Sequence, residues 1–134
     1  MEQVNTNDMI FVFGSNMAGR HGAGAAKYAL LNREAKMGVY FGLTGRAFAI
    51  PTKDKNIVFT LSLPTIQRFV DRFIDQASNE YNALTFQVTC IGCGLAGLQH
   101  ADIAPMFKRA PENCYFDTKW KPYLGDQFKY WGNG

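Results

Sequence analysis

Two short stretches of this chain carry the residue types needed to hold an anion. Gly14-Ser-Asn-Met-Ala-Gly-Arg-His-Gly-Ala-Gly24 contains four glycines, and Gly92-Cys-Gly-Leu-Ala-Gly97 contains three. Glycine adopts backbone conformations closed to other residues and lets a main chain approach a ligand closely. Where such a loop opens a helix, unpaired N–H groups and the positive end of the helix dipole suit phosphate oxygens. One such loop is equally well read as a tight turn. Two loops at one rim of a sheet can clamp a diphosphate from both sides.

The named nucleotide motifs fit less well. Gly14 to His21 approaches a Walker A loop, but Arg20 stands where lysine is needed and His21 where Ser or Thr would hold magnesium, so an ATPase is rejected. Gly92 to Gly97 matches G-x-G-x-x-G with Asp117 downstream, yet too little chain follows for the further βα units of a dinucleotide fold. Cys90-Ile-Gly-Cys93 is a C-x-x-C without zinc-type spacing to Cys114, His21 or His100. It reads as small buried hydrophobes, and no metal or cofactor is expected. His21 lies inside the first glycine loop and is a candidate ligand contact; His100 reads as a loop or surface histidine. Lys53-Asp54-Lys55 reads first as a solvated turn. It gains interest because Ile50-Pro51 would deliver it to the same rim. No Gly-x-Ser-x-Gly elbow and no Ser/His/Asp set is visible.

The elements that must position the loops follow from pattern. Met9 to Phe13 is an unbroken apolar run and predicts a buried strand. Ala25 to Lys36 holds good helix formers. Gly38 to Gly45 predicts an irregular or hairpin stretch, and Ala47 to Ile50 a strand stopped by Pro51. Thr52 to Asn56 reads as a polar loop and Ile57 to Leu61 as a short strand or connector. Pro64 to Ser78 predicts a helix with Ile66, Phe69, Val70, Phe73, Ile74 and Ala77 on one face. Leu84 to Ile91 predicts a strand, Ala101 to Arg109 a short helix, and Asn113 to Phe116 a last strand. The tail beyond carries Trp120, Tyr123, Phe128, Tyr130 and Trp131, which are expected to pack on the body or on a second copy. Strands alternating with helices predict an α/β layered fold. Ligands of such sheets sit outside the carboxyl ends of the strands, where both glycine loops fall.

Composition narrows the function classes. The 134 residues suit one domain, with 47% apolar and 19% charged residues in an ordinary globular balance. A net charge of +3 suits anionic small ligands but is too weak for duplex DNA. No segment approaches the roughly 20 apolar residues of a membrane span. The polar start from Met1 to Asp8 is no signal peptide. Three cysteines suit a reducing, cytoplasmic compartment.

Ile10 to Lys27, IFVFGSNMAGRHGAGAAK, resembles the first ligand-binding loop of macrodomains. Ile91 to Ile103, IGCGLAGLQHADI, resembles their second, phosphate-binding loop. Ile50-Pro-Thr-Lys53 and the helix from Pro64 resemble the same region of a clade that removes ADP-ribose from glutamate side chains. The likeness spans about residues 9 to 116. Chains opening IFVFGSN and carrying PTKD also resemble bacterial and phage-associated proteins of this type.

The resemblance implies a three-layer α/β/α sandwich with a mixed central sheet, forming one domain over residues 1–134 with a core at about 9–116. It implies an ADP-ribose cleft and the cytoplasm of a bacterial or phage-infected cell. Carried over, Gly22, Ala23, Gly24 and Ala25 would line ribose and diphosphate. Gly92, Cys93, Gly94, Leu95, Ala96 and Gly97 would wrap the phosphates through backbone N–H groups. Ser15 and Asn16 would form the cleft floor, with Gly14, His21 and Ile91 completing the ligand-binding set. In the clade the lysine matching Lys53 attacks the anomeric carbon, and an aspartate directly follows G-C-G-L. Here that position is Ala96, so Asp54 or Asp102 would have to substitute. The expectation is therefore a module that binds ADP-ribose or an ADP-ribosylated macromolecule. The alternatives are a glycohydrolase using Lys53 with Asp54, and an interaction protein or homodimer assembled through its aromatic tail.

Overall fold

A computed structural model describes residues 4–132; Met1 to Gln3, Asn133 and Gly134 lie outside the described residues. The apolar run near the start becomes β1 (Ile10–Asn16), at the interior of a six-stranded sheet. Alternate strand side chains point to opposite faces. Ile10 and Val12 join a buried cluster with α2 (Leu63–Ser78), while Phe11 and Phe13 join a second cluster with α1 (Gly24–Asn32). The fold is mixed α/β, with a long helix on each face of the central strand.

The remaining strands are β2 (Gly42–Thr44), β3 (Ala47–Lys53), β4 (Phe86–Val88), β5 (Cys114–Asp117) and β6 (Lys129–Gly132). Their order in the sheet is β2-β3-β1-β4-β5-β6, with β2 antiparallel to β3 and every other pairing parallel. The parallel strands therefore present their carboxyl ends at one rim.

α2 forms as its period dictates. Ile66, Val70, Phe73, Ile74 and Ala77 are buried, and the Ser62 hydroxyl accepts from Thr65 N at its start. Other expectations need correction. α1 ends at Asn32 rather than Lys36. The next residue, Arg33, turns inward, donating to Met9 O at 2.9 Å and to Gln87 Oε1 at 3.1 Å. β3 runs through Pro51 instead of stopping at Ile50. The β1–β3 register shifts between Ser15 and Asn16, opposite Pro51 and Lys53, so the ladder is irregular where proline has no N–H to give. β4 is shorter than Leu84 to Ile91, and Thr89 already binds Val12 O with both N–H and hydroxyl. The helix expected at Ala101 to Arg109 splits into α3 (His100–Ile103) and a 3-10 turn (Ala104–Phe107) with Pro105 at its start.

The tail packs on the body, one of the two placements expected for its aromatics. It forms a 3-10 turn (Thr118–Trp120), α4 (Lys121–Leu124) and β6, which pairs with β5. The hydrophobic core therefore extends past residue 116. Trp120 is fully buried against Phe107 and Phe116, and Trp131 Nε1 donates to Val88 O at 2.9 Å. Among the described residues no helix is long and apolar enough to cross a membrane.

Candidate functional site

At the carboxyl rim, the ends of β1 and β3 meet the two glycine loops around a cleft of about 550 Å³. Its lining takes Gly14, Ser15 and Asn16 from β1, Gly22 to Ala26 from the first loop and α1, and Thr52 and Lys53 from β3. The second loop contributes Ile91, Gly92, Gly94, Leu95 and Ala96. The cleft thus gathers most of the residues expected from sequence.

Close approach explains several glycines. A Cβ on Gly14 would lie 3.2 Å from Gly92 N, so β1 and the second loop pack closely there and a side chain would press them apart by a few tenths of an ångström. Gly92 also sits at φ 75°, and a Cβ on it would lie 2.7 Å from Leu98 Cδ1. A Cβ on Gly24 would lie 3.0 Å from Leu95 Cδ1, so the two loops meet across the mouth. Gly94 differs: its φ is not positive, and an added Cβ meets nothing within 4 Å.

The lining offers donors. The first three N–H groups of a helix have no intrahelical acceptor. In α1 these belong to Gly24, Ala25 and Ala26, and Ala23 before them provides no side-chain cap. In the second loop Cys93 N binds Cys90 O, Gly97 N binds Gly94 O and Leu98 N binds Gly92 O. The intervening N–H groups of Gly94, Leu95 and Ala96 donate to no acceptor among the described residues. Arg20 and Lys53 add two cations, and none of the described lining residues is a carboxylate.

The polar floor is largely occupied in holding the loops. Ser15 Oγ donates to Tyr40 O at 2.6 Å. Asn16 Nδ2 donates to Arg20 O at 2.8 Å and its Oδ1 accepts from Arg20 N at 3.1 Å, which clamps the turn that presents Arg20. Thr60 Oγ1 donates to Ala96 O at 2.9 Å, tying the chain after β3 to the second loop.

Four expected contacts lie elsewhere. Asp54 does not line the cleft; its Oδ1 accepts from Val58 N and Phe59 N and closes a turn. Cys93 turns to the core side, with Sγ 3.5 Å from Ile91 O. Gly97 lies outside the lining, because φ 73° there only turns the chain out of the loop. His21 is fully buried, edge-on to Phe13, with Nε2 3.0 Å from Lys36 O. It ties the first loop to the Lys36 segment and does not face the ligand space. Residues that join the lining without having been expected include Arg20, Thr52, Ile57, Thr89 and Cys90. For Arg20 the sequence carries a signal, a cation inside a glycine loop. Burial pushes the Cys90 thiol up to about 12, with Asp117 adding to the effect, and the Cys93 thiol up to about 11. Both stay protonated at neutral pH, whereas thiolates are the nucleophiles and metal ligands. Among the described residues no group of three or more His, Cys, Asp or Glu is arranged to hold a metal ion.

The buried histidine makes a testable statement. A carbonyl only accepts, so Nε2 bears the hydrogen, and Nδ1 is left buried without a partner. Burial lowers the His21 pKa below its ordinary 6.5. The unfolded chain then binds a proton that the folded chain refuses, so stability falls as pH drops from about 6.5 toward the lowered value. Above about 6.5 both states are neutral and the effect vanishes. Thermal melts of wild type and His21→Gln between pH 8 and pH 5 should show the wild type losing more stability. Parallel losses would refute the assignment.

Comparison with family models, with curated proteins and with solved structures gives no match to the chain. The site's chemistry therefore rests on its own geometry.

Proposed function

We propose that this chain is a macrodomain-like module that binds ADP-ribose or a close derivative, free or attached to a macromolecule. The observation that carries the reading is the convergence of donors from two directions. Unpaired N–H groups of the first turn of α1 and of Gly94, Leu95 and Ala96 belong to residues that line one cleft with Arg20 and Lys53 and without a carboxylate in the described lining. That set suits a diphosphate, whose charge strengthens each N–H contact. The volume of about 550 Å³ lies within the roughly 300–1,000 Å³ of small-molecule sites. The resemblance supplies the rest of the ligand, a nucleoside on one side and a sugar on the other.

Binding is favoured over hydrolysis for a specific reason. Lys53 lines the cleft, but Ala96 occupies the place of the clade's aspartate, and Asp54 is engaged with Val58 N and Phe59 N. A lysine adduct at the anomeric carbon would lack a carboxylate to move its proton.

Calorimetry tests the reading. ADP-ribose should bind at least about tenfold more tightly than AMP, since each charged hydrogen bond to the added phosphate is worth roughly 1.5–3 kcal/mol. Lys53→Ala should weaken ADP-ribose severalfold, and the wild type should release no ADP-ribose from a modified protein. Equal affinity for AMP and ADP-ribose would remove the two-sided clamp. Robust turnover abolished by Lys53→Ala would replace the module with an enzyme.

A further inference from the structure

The second glycine loop is held in shape through its carbonyls. Gly92 O accepts from Leu98 N at 2.8 Å and Gly94 O from Gly97 N at 3.0 Å, so both partners belong to the loop or its exit. Ala96 O is held from outside, accepting from Thr60 Oγ1 at 2.9 Å. A peptide unit is planar, so the Ala96 carbonyl and the Gly97 N–H turn as one body. The Thr60 hydroxyl therefore also steadies the bond from Gly97 N to Gly94 O. That bond closes the turn carrying the unpaired N–H groups of Gly94, Leu95 and Ala96.

Thr60 is in turn fixed to the end of β3. Asp54 N donates to Phe59 O at 2.9 Å and Leu61 N to Thr52 O at 2.8 Å, and the two bonds flank an antiparallel bridge between Lys53 and Thr60. Residues that face each other between two such bonds form a non-hydrogen-bonded pair, the closer of the two antiparallel arrangements. Their Cβ atoms share one face of the ladder, about 4.5–5.5 Å apart. Asp54 Oδ1, accepting from Val58 N at 3.0 Å and from Phe59 N at 3.3 Å, closes the turn between them. Lys53 lines the cleft, and the residue paired with it grips the loop that supplies the N–H donors.

We propose that Thr60 is a positioning residue for the cleft: its hydroxyl holds the second glycine loop in its ligand-binding shape and fixes that loop relative to Lys53, so that cation and N–H donors act on one anionic group. The inference rests on the diphosphate reading given above. Thr60 does not line the cleft, so it acts through Ala96 and Lys53. The bridge to Lys53 is made by backbone and the grip on Ala96 by the hydroxyl alone. Deleting the hydroxyl therefore releases the loop and spares the bridge.

The test uses the full chain with Thr60→Val, which removes the hydroxyl at nearly constant shape, and Thr60→Ser, which keeps it. Thr60 is half-buried, so both variants should fold, and Thr60→Ala makes the same deletion with less bulk if valine is not tolerated. In the free protein, the Gly97 amide of Thr60→Val should exchange its hydrogen about tenfold faster than in wild type. Calorimetry should show Thr60→Val binding ADP-ribose about five- to tenfold more weakly, the size of one hydrogen bond, and Thr60→Ser within about twofold of wild type. Lys53→Ala should cost less affinity in the Thr60→Val background than in wild type, because coupled residues are not additive. Wild-type affinity in Thr60→Val, or a loss that Thr60→Ser fails to rescue, would overturn the inference and leave the diphosphate clamp intact. So would an equal cost of Lys53→Ala in both backgrounds. A wild type that binds no ADP-ribose would instead refute the diphosphate reading, and the inference with it.

Discussion

Gly94→Val should weaken ADP-ribose binding by roughly 100-fold or more, with its melting temperature within about 2 °C of wild type. Both halves come from the same position. A Cβ on Gly94 meets no protein atom within 4 Å, and its φ is not in the left-handed region, so folding has little to lose. Gly94 lines the cleft, and its N–H is the first of three consecutive groups that donate to nothing among the described residues. Covering two of those donors removes charged hydrogen bonds of roughly 1.5–3 kcal/mol each. Gly92→Ala is the control with the opposite signature. Its φ of 75° and its approach to Leu98 make that change a folding defect first. Titration calorimetry and a thermal melt on each variant decide the matter. Normal binding by folded Gly94→Val would reduce the second loop to a turn.

That test is possible because the loops were legible from sequence. Their glycine density, the apolar run before the first and the helix formers after it required only local chemistry. α2 was equally legible, since its apolar residues repeat with the helical period and nearly all become buried. Tertiary contacts decided the rest. His21 sits in a glycine loop by sequence, yet Phe13 and the Lys36 carbonyl draw it into the interior. Arg33 lies in a segment of good helix formers, yet Met9 O and Gln87 pull its guanidinium inward and the helix stops. Lys129-Tyr-Trp-Gly132 has no alternation to mark it as a strand, because the pairing with β5 and the Trp131 bond to Val88 O are long-range facts.

Trp120→Ala should cost about 3–5 kcal/mol, the usual toll for emptying a buried indole site. Against a total stability of about 5–15 kcal/mol, this would lower the melting temperature by roughly 10–20 °C. Trp120 is fully buried, its ring centroid is 5.4 Å from that of Phe107, and Nε1 donates to His100 Nδ1 at 2.9 Å. The mutation leaves a cavity and also strips His100 of its partner. Because α3 begins shortly after the second glycine loop, the change should reach the cleft as well, weakening ADP-ribose severalfold at temperatures where the protein remains folded. Chemical denaturation measures the first effect and calorimetry the second. A loss below about 1 kcal/mol would mean that the tail is an appendage rather than part of the core.

The strand order carries a consequence for how the chain is made. Translation delivers β1 before the other strands, and β1 is interior to the sheet; β3 then joins one side of it, and β4, β5 and β6 join the other side in the order of their synthesis. Every parallel strand after β1 therefore emerges when its neighbour already exists, and the sheet can grow outward from the ribosome as successive additions to a template. A nascent chain halted before Lys129 would carry β5 as a bare edge with Val88 O missing its indole partner, a form open to pairing with other chains.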